Sequence, residues 1–208
     1  GMEFYKVFGS GTGEGFTPYP NTKVYALLIV WENLESAVEE TKNNRQFKNY
    51  ENHSKETWTV FLRPISSRGK WNKVNPFKTK HCVDLSSLMK QPLAAITRAT
   101  IKPSILLKFW KHEPEISKVI GEDSNVLFKI GLGEIPWFQQ VTFSIWPNED
   151  SMSQFARLDG PHARAIQAVR EGDWFSEELY ARFEILKEQG SWEGRAPNLP
   201  QILAKGTS

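Results

Sequence analysis

The segment from Gln139 to Leu186 reads strand, helix, strand, and it constrains the fold more than any other part of the chain. Over the first strand, Gln139 to Trp146, Val141, Phe143 and Ile145 alternate with Gln140, Thr142 and Ser144. A helix is expected from Asp150 to Arg170. The strand from Leu179 to Leu186 repeats the alternation, with Leu179, Ala181, Phe183 and Ile185 opposite Tyr180, Arg182 and Glu184. One face of each strand therefore suits a covering helix. The other is polar, carries an arginine, and suits the lining of a site.

His162 follows Gly160-Pro161 inside that segment. Proline fits the first turn of a helix, which puts His162 where the helix dipole disfavours a positive imidazole. A neutral ring is what a metal needs. Ala165, Ile166 and Val169 recur on one helical face, turning His162 toward the sheet. The same pattern also describes a buried histidine hydrogen-bonded to backbone, and the residues leave both readings open.

The chain has 208 residues, 39% hydrophobic and 24% charged, which describes an ordinary globular protein with room for a core. A net charge of +2 argues for no particular partner, and nucleic acid is not expected as one because, outside a single basic run, the chain is not basic. Cys82 is the single cysteine, so no internal disulfide exists and a reducing compartment is expected. The longest apolar run, Val24 to Trp31, is too short to span a bilayer, and no basic segment with an apolar core opens the sequence. A cytoplasmic location follows as an expectation, with peripheral membrane contact left open.

In chain order, the Gly- and Pro-rich residues 1–22 read as an arm. Residues 23–91 read as a βαβ unit with a basic connector, and residues 92–208 as the main domain. Val24 to Trp31 is apolar on both faces and reads as a central strand; Glu32 to Lys48 reads as a charged surface helix. Arg68, Lys70, Lys73, Lys78 and Lys80 beside Trp71 and Phe77 read as a solvated connector, since the rest of the chain is not basic. Leu93 to Leu186 alone gives the order βαββαβ, a ferredoxin-like plan. A faint repeat accompanies it, with Gly69-Lys70-Trp71 matching Gly190-Ser191-Trp192. A sheet of this kind has helices on one face. The other face needs a partner sheet, from a second chain in a homodimer or from the first unit, and two such sheets enclose a cavity.

Leu93-Ala94-Ala95-Ile96-Thr97-Arg98-Ala99-Thr100-Ile101 resembles a strand of the spheroidene monooxygenase family, bacterial carotenoid ketolases. Phe109-Trp110, Gly131 to Glu134, Gln140 to Trp146, Phe155-Ala156, His162 to Ile166, Trp174 to Phe183 and Gly190 to Gly194 match that pattern in order. The resemblance implies an α+β fold of the dimeric α+β-barrel type. It also implies a heme-dependent monooxygenase acting with dioxygen and a separate electron donor on a hydrophobic, carotenoid-like substrate. His162 then becomes the axial iron ligand, and Arg98 and Arg182, taken as inward-facing, become partners for heme propionates. Trp110 and Trp146 wall the ligand, and Gln140, Thr142, Ser144 and Tyr180 line the substrate pocket. Two alternatives stand beside this one: a cofactor-free oxygenase of the same barrel type, and a heme- or lipid-binding barrel without catalysis.

Overall fold

A computed structural model describes residues 1–13, 15, 17–78, 91–111, 126–157 and 172–195. Seven antiparallel strands form one sheet in the order β2-β1-β5-β6-β4-β7-β3. They are β1 (Met2–Gly11), β2 (Pro20–Trp31), β3 (Trp58–Gly69), β4 (Leu93–Ile101), β5 (Phe128–Ile135), β6 (Gln139–Trp146) and β7 (Phe175–Gly190). Between β2 and β3 lie α1 (Leu34–Asn43) and α2 (Arg45–His53). A 3-10 turn at Pro103–Ile105 continues into helix over 106–111, here α3, and α4 (Glu149–Arg157) follows β6. From β4 onward the order is βαββαβ, and its four strands lie as β5-β6-β4-β7. That is the ferredoxin-like arrangement, extended by β1 and β2 on one side and β3 on the other.

The sheet curls until strands from its two sides meet. Trp58 on β3 stands edge-on to Phe128 on β5, ring centroids 4.6 Å apart. Trp71, just past β3, lies 5.6 Å from Phe4 and 6.0 Å from Phe8 on β1. The interior collects Phe8, Trp71, Phe77, Ile96, Ile130, Leu132, Val141, Ile145, Leu179 and Phe183. The first unit thus supplies the partner surface that the ferredoxin-like sheet needs. Aromatic rings, many edge to face, fill the space between, each such pair adding about 0.5–1.5 kcal/mol beyond its burial.

Three expectations change here. Residues 1–22 are not simply an arm, because Met2–Gly11 forms β1. Its strand pattern was hard to see because Lys6 sits at an inward position, where it ion-pairs with Glu134. The run Val24 to Trp31 is an edge strand, not a central one. Val24, Ala26, Leu28 and Val30 pack on the core, whereas Tyr25 and Leu27 are exposed. The single helix expected from Glu32 breaks at Asn44, which caps α1 through its N–H to Glu40 O and α2 by accepting from Gln46 N.

The helix-facing side of β6 is also reversed. Val141 and Ile145 look into the curled interior, while Trp146 meets Met152 and Phe155 of α4. The apolar face of each strand is needed inside the barrel, so the helix covers the face that carries Ser144, Trp146 and Arg182.

Candidate functional site

On the outer face, cross-strand register aligns a row of polar side chains. Thr142 pairs with Thr97, Thr97 with Tyr180, and Tyr180 with Arg68, crossing β6, β4, β7 and β3. Gln140 and Ser144 flank Thr142 on the same face of β6. Gln140, Thr142 and Tyr180 are half-buried, Thr97 is exposed, and Ser144 is buried. At one end of the row a surface cavity of about 340 Å³ is lined by Arg68, Gly69, Glu178 and Tyr180. The Tyr180 hydroxyl donates to Glu178 at 3.0 Å, and the Arg68 guanidinium stacks 4.7 Å from the Tyr180 ring centroid. The four residues expected to line the pocket share one face, but it is the outer face and not the enclosed interior, and of the four Tyr180 alone lines this cavity. At its other end α4 closes over that face. Trp146 Nε1 donates to Ser144 Oγ at 2.9 Å, and Arg182 Nη1 donates to Glu149 Oε1 at 2.7 Å.

Arg98 is not on that face. It alternates with Ala94 and Ile96 into the barrel and is only 1% exposed. There it ion-pairs with Glu177 and lies 5.7 Å from the Trp71 ring centroid. Trp71 Nε1 donates to Glu134 Oε2 at 2.8 Å, and Glu134 is paired to Lys6. The Gln139 amide, oriented by its partners, joins the two halves: it donates to Glu134 and accepts from Arg98, each at 3.2 Å. Glu177 also accepts the backbone N–H groups of Asn72 and Lys73, both at 2.8 Å. Burial raises the cost of charging Glu177, but those two N–H groups and Arg98 outweigh it and hold its pKa below the usual value. Lys6, Glu134, Gln139, Glu177 and Trp71 escaped the sequence reading. The available signal was Arg98 itself, since a guanidinium on an interior face requires an acid near it.

The expectation that Arg98 and Arg182 face inward together is corrected by this geometry. Arg182 pairs across β4 with Ala95, Arg98 with Leu179, and the two guanidiniums leave opposite faces of the sheet. They cannot clasp one ligand's two carboxylates, and each already holds a glutamate. Trp110 and Trp146 are likewise far apart. Trp110 Nε1 donates to the carbonyl of Trp137 in the β5–β6 turn, at 3.2 Å, whereas Trp146 ends β6. At about 3.3 Å per residue the strand separates them by roughly 23 Å. His162, Cys82, His81 and His112 lie outside the described residues. His53 is exposed, and its ring nitrogen meets the carbonyl of Asn49 at 2.8 Å. Among the described residues no group of three or more His, Cys, Asp or Glu could hold a bare metal ion.

A ferredoxin-like half completed by three further strands around an aromatic interior defines an α+β-barrel protein. No family model matches the chain. It is 47% identical over 207 residues to a spheroidene monooxygenase of Rhodobacter capsulatus, covering 100% of this chain and 85% of that one. A spheroidene monooxygenase of Cereibacter sphaeroides is 49% identical over 197 residues, covering 94% of this chain and 59% of that one. A third, from Rubrivivax gelatinosus, is 33% identical over 195 residues. The chain belongs to the spheroidene monooxygenase family, and it is a monooxygenase. Among solved structures, SnoaB, a cofactor-independent oxygenase from Streptomyces nogalater, overlaps 53% of this chain and 99% of its own at 15% identity, with a TM-score of only 0.34.

Proposed function

We propose that the chain oxidises a hydrophobic, carotenoid-like substrate with dioxygen, the substrate lying against the outer polar face of β6, β4 and β7. The observation that carries this reading is the 47% identity, along the whole chain, to a relative named for spheroidene. The row of Thr142, Thr97 and Tyr180 supports it, because hydroxyls aligned along one face can orient a weakly polar group on an otherwise apolar molecule. Heme belongs to this proposal through the family resemblance and His162 alone, and it supplies the activation of dioxygen with electrons from a separate donor. The arginines do not add to it as a pair. What this chain's described residues do is bind and orient. Tyr180 presents a phenol held by Glu178, and α4 over Trp146 keeps water from one end of the face.

The test is product analysis in a carotenoid-producing host supplied with isotopically labelled dioxygen. One labelled oxygen incorporated into the polyene is expected; absence of a labelled product overturns the activity. Hemin titration of the purified protein tests the cofactor separately. A Soret band abolished by His162→Ala is expected, and activity without such a band assigns the reaction to the cofactor-free alternative.

A further inference from the structure

The paired strands β3 and β7 end in two turns of one design, which separates what the backbone requires from what it does not. Gly69 pairs with Leu179 at one end, and Gly190 with Trp58 at the other. Both glycines adopt a positive φ, and a Cβ on them would stand 2.2 Å from Glu178 O and 2.0 Å from Thr57 O. The half-turn that carries one end onto the other matches Arg68 with Gln189, Tyr180 with Thr59 and Glu178 with Thr57. The same register and turn therefore form with uncharged side chains at all three places. At those places only the first end carries a cation, a phenol and a carboxylate, and there all three line the cavity of about 340 Å³. The backbone does not account for them.

Their chemistry points to a ligand. The Arg68 guanidinium lies 4.7 Å from the Tyr180 ring centroid and makes no ion pair among the described residues. Stacked on the ring, it keeps the N–H donors along its edge for a guest. Glu178 Oε2 accepts from the Tyr180 hydroxyl at 3.0 Å, which leaves Oε1 as a second acceptor. An anion entering the cavity meets the Glu178 carboxylate, and a cation meets the guanidinium. A neutral hydroxyl suits both, accepting from Arg68 and donating to Glu178. From Tyr180 the row continues through Thr97 and Thr142, so a molecule with one end in the cavity can lie along the face proposed for the substrate. We propose that Arg68 and Glu178 form an end-group site that selects polyenes carrying a hydroxyl at one terminus. This rests on the reading of the substrate as carotenoid-like, and it adds the feature of that substrate which the chain discriminates.

Two linear polyenes that differ only in a terminal hydroxyl test it. Each is titrated into the purified full chain in detergent micelles without reductant, and binding is read from quenching of tryptophan fluorescence. The hydroxylated polyene should bind about 10- to 100-fold tighter, the range of hydrogen bonds to charged groups. Arg68→Gln and Glu178→Thr introduce side chains that the matching turn already accommodates. Each should cut the preference to about threefold or less with an unchanged circular dichroism spectrum. Gln189→Arg, at the matching turn, should leave the preference as in the parent. Equal affinity of the parent for the two polyenes, binding of neither, or a preference that survives both substitutions overturns the proposal. Tighter binding of a matched polyene carboxylate also overturns it and assigns the cavity to an anion. Because binding is read without turnover, the two readings fail separately. Selective binding with no labelled product in the host rejects the oxidation and keeps the site, whereas labelled product without selectivity does the reverse.

Discussion

Two glutamates show how much one carboxylate decides in this fold. Glu177 closes the turn after β3 by accepting from Asn72 and Lys73, and it is the anion beside the buried guanidinium of Arg98. Glu56 closes the turn after β7 by accepting from Glu193 at 2.8 Å, Gly194 at 3.0 Å and Ser191 Oγ at 2.9 Å. The two sites differ in what they leave behind when lost. Glu177→Ala strands a cation that is sealed in the barrel, so urea denaturation should show a loss of about 3–5 kcal/mol. Glu56→Ala removes only a solvent-facing clamp and should lower stability far less. Acid separates them from ordinary surface carboxylates. The Gly194 N–H, the Ser191 hydroxyl and lesser partners hold the Glu56 pKa down, as the Asn72 and Lys73 N–H groups and Arg98 do for Glu177 against its burial. A depressed pKa contributes stability that is complete above the unfolded value of 4.5 and is lost as pH falls through the lower folded value. The stability gap between parent and Glu177→Gln should therefore be constant near neutrality and narrow below about pH 4.5. A gap that widens on acidification would contradict the assigned charge state.

At the scale of elements, β3 and β7 form a pair whose two ends are built alike. Gly69 and Gly190 end the strands with φ of 92° and 90°, Lys70 N donates to Glu178 O, and Ser191 N donates to Thr57 O. Trp71 bridges to Val74, and Trp192 to Arg195. The sequence repeat Gly-x-Trp is this turn, seen twice. What the repeat could not reveal is how the two tryptophans diverge: Trp71 packs among Phe4, Phe8 and Phe77 with the Lys6 and Arg98 cations over its ring, whereas Trp192 packs on Trp58 and Phe128. A Cβ at Gly190 would stand 2.0 Å from Thr57 O, so Gly190→Ala must displace the β3 strand. It should cost about 2–3 kcal/mol in thermal or urea unfolding, while Gly9→Ala, with open space, should stay within roughly 0.5 kcal/mol. The ferredoxin-like order was legible because period-2 alternation marks β4, β6 and β7 plainly. The facing of their sides was not, since alternation separates two faces without saying which of them a helix will cover. β1 was hidden by its inward lysine, and the Arg98 network by partners that come from four separate strands and a turn.

For the whole molecule, the decisive property is that one chain supplies both walls of its barrel. β3 and β5 are separated in the sheet by β7, β4 and β6, yet Trp58 and Phe128 touch, and Trp192 adds a third ring 5.2 Å from Phe128. These contacts exist only when the sheet is curled, so they report the closure itself and not the pairing of any two neighbouring strands. A double-mutant cycle isolates that term. Trp58→Ala and Phe128→Ala each remove packing that an open sheet would also lose in part, but their interaction energy arises only where the rings meet. A coupling of about 0.5–1.5 kcal/mol is expected, the range measured for edge-to-face pairs. The pair Val141→Ala and Phe128→Ala cannot serve as the reference, because β5 and β6 are neighbours in any form of the sheet; Trp58→Ala with Tyr19→Ala, an exposed residue, can. Additivity in that reference together with coupling between Trp58 and Phe128 establishes a barrel closed within one protomer. Coupling near zero for Trp58 and Phe128 means the sheet stands open in solution, with the Trp71–Glu134 bond and the enclosed Arg98 pair exposed to water along with it.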